Sequence, residues 1–218
     1  MKAKPTQGIQ YPQIPKLTQT DAPASLENGM DYSMQFWVRA DFSLQKANRI
    51  TLEQIRFKRA NLNGLELSKA RLTDVAMETC DLSGAACTQI RLQRTEIVDS
   101  RLIGINFLES EFDDVTLKDS NFENLVFVLG HQKHTRYRNC NLRNARFEDT
   151  DLSGVIFDQC DLTGAHFRNA KLNGTDFRGS VINGMNLDPK DVRGAIIESA
   201  QAAQFAALLG LAVKELEE

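Results

Sequence analysis

The sequence predicts an all-β fold: a four-sided parallel β-solenoid of about eight coils, preceded by an extended arm and closed by a helix. Three observations predict it. From Phe42 to Leu187, 27 of the 30 positions of the form 42 + 5n are Leu, Ile, Met, Phe or Tyr, the exceptions being Ala47, Cys87 and Gln132. Ten of the 12 Phe residues fall in this register. Two residues before each of these, from Ala40 to Met185, 22 of 30 positions hold Ala, Cys, Ser, Thr, Val or Gly. A period of five fits neither a helix, with about 3.6 residues per turn, nor a flat strand, with about 2, so the repeat itself is the structural unit. Finally, like residues recur twenty apart: Phe107, Phe127, Phe147 and Phe167 form one series, and Ile55, Val75, Thr95, Val115, Thr135, Val155 and Thr175 form another. Four five-residue sides per coil stack like upon like.

The first element is an arm, residues 1–29, which holds four of the five prolines (Pro5, Pro12, Pro15, Pro23) and no apolar period. Its proline-bearing parts favour polyproline conformation. The solenoid follows over residues 30–197. Tyr32 and Trp37 are already in register, and Trp37 with Phe36 and Val38 is expected to cover the open first coil. Each side is a short extended segment with two inward side chains, then a tight bend. Gly64, Gly84, Gly104, Gly164 and Gly184, with Asn124 and Asn144, recur at one corner, which predicts a left-handed backbone there. At roughly 4.8 Å per coil, the body is about 40 Å long.

The stretch CDLTGAHFRNAKLNGTDFRGS, Cys160–Ser180, resembles the pentapeptide-repeat family, whose repeat reads A-(D/N)-L-x-x. The resemblance covers about 150 residues and implies a right-handed, four-sided β-helix. It is weakest at Ala47 and at the pentad Gly130–His134.

Beyond Leu187 the pattern breaks at Pro189, and residues 198–218 form the last unit, a capping helix and tail. Ser199 reads as its N-cap, Ala202, Phe205, Ala206 and Leu209 as one apolar stripe, and Gly210 as its left-handed stop. The tail LAVKELEE adds a short strand or frays.

Composition excludes several functions. Formal net charge is −3, and between Ala40 and Leu187 19 Lys/Arg face 20 Asp/Glu. Direct nucleic-acid binding is therefore not expected. No apolar run spans a bilayer and no secretory leader is evident, so a cytoplasmic protein away from membranes is expected. The four cysteines, Cys80, Cys87, Cys140 and Cys160, all occupy inward slots and read as free core thiols. No nucleophile-and-base pair, cleft carboxylates or phosphate loop is present, so no catalytic residue, cofactor or metal is expected. His131 and His134 lack further ligands in register.

Two surfaces remain as candidates. Ile103, Leu108, Val126, Val128 and Leu129 point outward and form a partner or dimer contact, the seat of the arm, or simply the occasional outward aliphatics that a β-solenoid accommodates. Beside them, Gln132 falls in a core slot, so the pentad either bulges or lets Gln132 bond the backbone. His131 and His134 on that pentad complete the candidate partner surface. These features fit a non-catalytic scaffold for a protein partner. The resemblance offers an alternative, because some family members, including quinolone-resistance proteins, mimic DNA and bind DNA gyrase. The ending DVRGAIIESAQAAQFAALLGLAVK is similar to the segment through which those proteins dimerise, which makes Phe205, Leu208 and Leu209 the candidate contacts of a homodimer. The near-neutral body is at odds with phosphate mimicry.

Overall fold

A computed structural model describes residues 8–214. The start of the arm, residues 1–7, and the end of the tail, residues 215–218, lie outside the described residues. In chain order the strands are β1 (Asp31–Val38), β2 (Lys46–Asn48), β3 (Thr51–Lys58), β4 (Glu66–Ser68), β5 (Arg71–Glu78), β6 (Ala86–Thr88), β7 (Arg91–Val98), β8 (Glu111–Lys118), β9 (His131–Arg138) and β10 (Ile156–Asp158), followed by helix α1 (Ala202–Leu208). All pairing is parallel. Seven strands form one sheet in the order β1-β3-β5-β7-β8-β9-β10, and β2-β4-β6 form a second.

Register is fixed at twenty residues throughout. Asp31, Thr51, Arg71, Arg91, Glu111 and His131 stand one above another, and single bridges carry the column on to Asp151 and Lys171. These eight rungs are the eight coils. Each coil has four sides, beginning for the first at Asp31, Phe36, Asp41 and Lys46; we call them sides one to four. The eight-residue strands wrap sides one and two without interruption.

The corners explain the number five. Every fourth-of-five residue from Met34 to Asn169 that is not glycine has φ between 45° and 59°, including Arg39, Gln54, Asp74, Arg94, Asp114, Leu129 and His134. Left-handed backbone was expected at the one corner rich in Gly and Asn. It occurs at all four. An L-residue there costs roughly 1–2 kcal/mol, and the hydrogen bonds between coils hold it in place: Arg39 N donates to Lys58 O at 2.9 Å, and Asn61 N to Ala40 O at 2.8 Å. Pro189 falls on this corner register, and its ring locks φ near −65°. The pattern is interrupted only at that corner: Gly194 restores the left-handed corner at φ +81°, Gly174 N donates to Gly194 O, and Ile196 bridges to Asp176, so a last partial coil follows Pro189.

Both inward columns are buried, with Ile55, Val75, Val115, Val155 and Thr175 at 0% exposure. Hydroxyls suit the smaller column because they pair backbone groups: Ser100 Oγ accepts Cys80 N and Ser120 Oγ accepts Ser100 N, each at 3.0 Å. In the later coils aromatic rings stack along the axis, Phe147 on Phe167 at 5.1 Å and Phe157 on Phe177 at 5.4 Å. The earlier coils hold Leu, Ile and Cys instead and enclose an apolar cavity of 30 Å³ that Cys87 helps to line. Cys87→Val, which adds about one methyl group, is expected to stabilise the protein by about 0.7 kcal/mol at roughly 24 cal/mol per Å³ of this 30 Å³ cavity. A rise in the urea midpoint checks it; a fall means that the slot has no spare room.

The ends are sealed differently from expectation. Trp37 is buried, edge-on to Tyr32, Phe42 and Phe57, but Phe36 and Val38 face outward and stay half-exposed. Leu26 completes the lid at 5% exposure, and Gln45 holds that segment by accepting from Leu26 N and donating to Ala24 O. At the other end a 3-10 turn, Ser199–Gln201, leads into α1. Glu198, not Ser199, is at its N-cap, and Glu198 N donates to Gln201 Oε1. Gln201 Nε2 donates to Phe177 O and Ser180 O, both at 2.8 Å, which satisfies carbonyls that have no further coil above them. Phe205 is buried against Phe177, Leu208 and Leu209 are half-buried, and Ala202 is exposed despite its place in the expected stripe. Gly210 has φ +80°, as a helix stop requires.

The pentad Gly130–His134 does not bulge. β9 keeps unbroken register with β8. Gln132 stays in its core slot at 3% exposure and donates not to backbone but to the hydroxyl of Tyr137, at 3.0 Å. Tyr137 lies five residues on in the same inward register, so two polar groups pair with each other inside the core.

Candidate functional site

Outward side chains on this lattice sit in vertical columns, so each site is assembled from residues twenty apart. The corner between sides one and two carries the densest chemistry: Gln54, Asp74, Arg94, Asp114 and His134. Arg94 grips Asp74 with two hydrogen bonds of 2.7 Å. That guanidinium holds the Asp74 carboxyl below its usual range, although burial opposes the shift.

The N-terminal arm lies along this corner. Gln10 N donates to Asp114 Oδ1 at 3.0 Å, Gln13 N to Asp74 Oδ1 at 2.9 Å, and Gln54 Nε2 donates to Gln13 O at 3.1 Å. Asp74 and Asp114 are thereby buried to 5% and 6% exposure. The arm thus runs against the direction of coil growth and rejoins the first coil at Thr20, which bridges to Trp37. Asp74 helps this docking only as a carboxylate. Its folded pKa lies below the ordinary 3.8, so its contribution is complete above that value and is lost as pH falls through the lower, folded one. The Gln13 amide is accordingly expected to lose protection from hydrogen exchange only in acid below pH 3.8; loss near neutral pH would contradict this.

His134 belongs to the same corner. Its Nδ1 lies 3.3 Å from Asp113 Oδ1 and 3.4 Å from Asp114 Oδ1. Among the described residues these three form the group with donor atoms close enough to share a metal ion. His131 is not part of this group. His131 is exposed on side one, between Glu111 and Asp151 on the adjacent coils.

The aliphatic residues sit one side away from the corner to which the described part of the arm is hydrogen-bonded. Val126 and Val128 are on side four, with Leu108 directly beside Val128 on the preceding coil. All three are half-buried, as is Ile103 on side three. Leu129, at the next corner, is 57% exposed. Asn106 and Arg146 flank Val126, so the continuous apolar strip is narrow: Leu108, Val128 and Leu129, with His131 at its edge.

Charges elsewhere neutralise one another between coils. Lys46 pairs with Glu66, Lys58 with Glu78, Arg91 with Glu111 and Lys171 with Asp151. The most buried pair is Arg136 with Asp158. The four thiols are free and buried, and burial pushes that of Cys87 up to about 12, so it is not a nucleophile. Phe205, one of the candidate dimer contacts, packs against Phe177 at the end of the core.

Sequence reasoning missed the arm's seat. Its signal was present in the column Gln54, Asp74, Arg94, Asp114, where alternating charge marks one corner. Nothing in the sequence around Gln10 and Gln13 marks this destination, because the hydrogen bonds to the corner are made by their backbone.

Comparison with known proteins bears on the fold. The model of pentapeptide repeats, in 8 copies, matches residues 38–74 and 140–179, and that of the pentapeptide repeat region matches residues 70–147. A trypsin-treated form of QnrB1, a plasmid-mediated fluoroquinolone resistance protein, is similar in structure at 22% identity, over 87% of this chain and 97% of that one, with a TM-score of 0.49. HetL, a protein involved in heterocyst differentiation regulation from the cyanobacterium Nostoc sp., is similar at 18% identity, over 79% and 86%, with a TM-score of 0.42. No curated sequence matches significantly. The two family models together run from residue 38 to 179, across the stacked five-residue sides described above, and the chain belongs to the pentapeptide-repeat family.

Proposed function

We propose that this protein is a non-catalytic scaffold that binds a protein partner through its outer faces, in the cytoplasm. The observation that carries the reading is the filled interior. The apolar cavity among the inward side chains of the early coils measures 30 Å³, enough for about one water molecule and no substrate. What remains is a rigid lattice of outward side chains, and rigidity lowers the ordering cost of association. Pentapeptide-repeat proteins generally serve as structural or interaction scaffolds, which supports the same reading. The strip Leu108, Val128 and Leu129 with His131 is the face we assign to the partner. A photo-crosslinker at Val128, with Leu129→Asp as control, tests it: a discrete adduct lost in the variant is expected. Equal labelling of both proteins would overturn the assignment.

The runner-up is modulation of DNA gyrase by mimicry of DNA, with a homodimer through the C-terminal helix. Pairing of charges between coils counts against it, since a phosphate mimic needs a sustained negative face. Purified protein is expected to leave gyrase supercoiling unchanged, with or without a quinolone. Inhibition or drug protection would reverse the ranking.

A further inference from the structure

The corner that seats the arm is built to read a chain backbone. Asp74 and Asp114 are two coils apart, about 9.6 Å at 4.8 Å per coil. They receive N–H groups three residues apart, those of Gln13 and Gln10. Three residues of polyproline II advance about 9.3 Å and return the backbone to the same face, because that helix has about three residues per turn. In a β-strand, N–H groups three apart point to opposite edges. The lattice spacing and the polyproline period therefore match, and both donors reach carboxylates in one column. Pro12 and Pro15 fall off the donor register, where a missing N–H costs nothing. The three hydrogen bonds between the described arm and this corner all end on backbone atoms, Gln10 N, Gln13 N and Gln13 O, while Ile9, Pro12 and Ile14 are half-buried alongside them. Tyr11 is 48% exposed and Gln10 and Gln13 are also exposed.

We propose that this corner is a binding site for polyproline-type segments, recognised by two backbone N–H groups three residues apart, and that the arm is its resident ligand. A partner presenting an extended, proline-containing segment displaces the arm and takes its place. Arg94, chelated to Asp74 between the two acceptors, fixes one carboxylate in its accepting state; Asp114 supplies the other. The inference deepens the scaffold reading by naming a partner class, and it concerns a different face from the aliphatic strip.

The test uses the full chain carrying Gln10→Pro and Gln13→Pro. Proline removes both donors yet fits polyproline geometry. The probe is a labelled peptide of residues 5–18, followed by fluorescence anisotropy. Saturable binding at least tenfold tighter than to the wild-type protein is expected, because the resident arm no longer competes. Asp114→Ala in that background, and separately a peptide N-methylated at the positions of Gln10 and Gln13, should each weaken binding at least tenfold. The methylated peptide leaves the protein untouched, so its result stands whether or not the variants fold normally. No saturable binding to the freed corner overturns the proposal, as does equal affinity for the methylated peptide. Either failure leaves the Val128 crosslinking result, and with it the scaffold reading, intact.

Discussion

Gly130→Ala is expected to destabilise the protein by about 3 kcal/mol, the upper end of overpacking costs. A Cβ on Gly130 would lie 2.3 Å from Ser110 O and 2.8 Å from the Phe127 ring. Neither neighbour can yield. Ser110 O is backbone and accepts the His131 N–H at 3.1 Å, while Phe127 is fully buried. Backbone strain plays no part, because Gly130 is not among the glycines with positive φ. Gly154→Ala is the control. There φ is +78° and no atom lies within 4 Å of the added Cβ, so only the left-handed penalty of about 1 kcal/mol applies. Urea unfolding of the two variants decides the matter. If Gly130→Ala costs no more than Gly154→Ala, the coils do not approach as closely as described.

Phe205→Ala is expected to cost about 3 kcal/mol, at the low end for a buried Phe, and to leave the mass in solution unchanged. Phe205 is 6% exposed and its ring lies 6.1 Å from that of Phe177. Removing it uncouples α1 from the last coil, and Gln201 then loses the alignment that brings it to the Phe177 and Ser180 carbonyls. Because each coil contacts only its neighbours, the loss should concentrate at this end. Amides of the final coil, such as Phe177 N, should exchange faster than those of β5. A fall in mass would instead return Phe205 to the dimer contact that the sequence suggested.

The interior was legible from sequence because burial acts on one side chain at a time. A misplaced charge in an inward slot is costly, so the apolar period is nearly unbroken from Phe42 to Leu187. The corners were only partly legible. Gly64 and Asn124 announce a left-handed backbone, but Arg39, Asp74 and Leu129 adopt it too, under compulsion from hydrogen bonds to the coils above and below. Propensity scales cannot register such compulsion. Gln132 misled for a related reason: its partner, Tyr137, is polar only at the tip and scored as an apolar residue in register. The candidate surface was least legible. Leu129 and His131 were correctly turned outward, yet the arm's seat depends on main-chain N–H groups, which every sequence possesses.

Left-handed corners at every fifth residue also restrict how such a chain can change in length. Losing a single residue moves every later corner onto an inward position and every core side chain into water. Losing five restores the alternation but rotates the remaining coils by one face, so that if the loss falls between them Asp74 and Asp114 no longer share an edge. Only a step of twenty preserves both the interior and each face. Inheritance in this architecture is quantised: whole coils can be copied or excised, and smaller edits inside the coils are not tolerated.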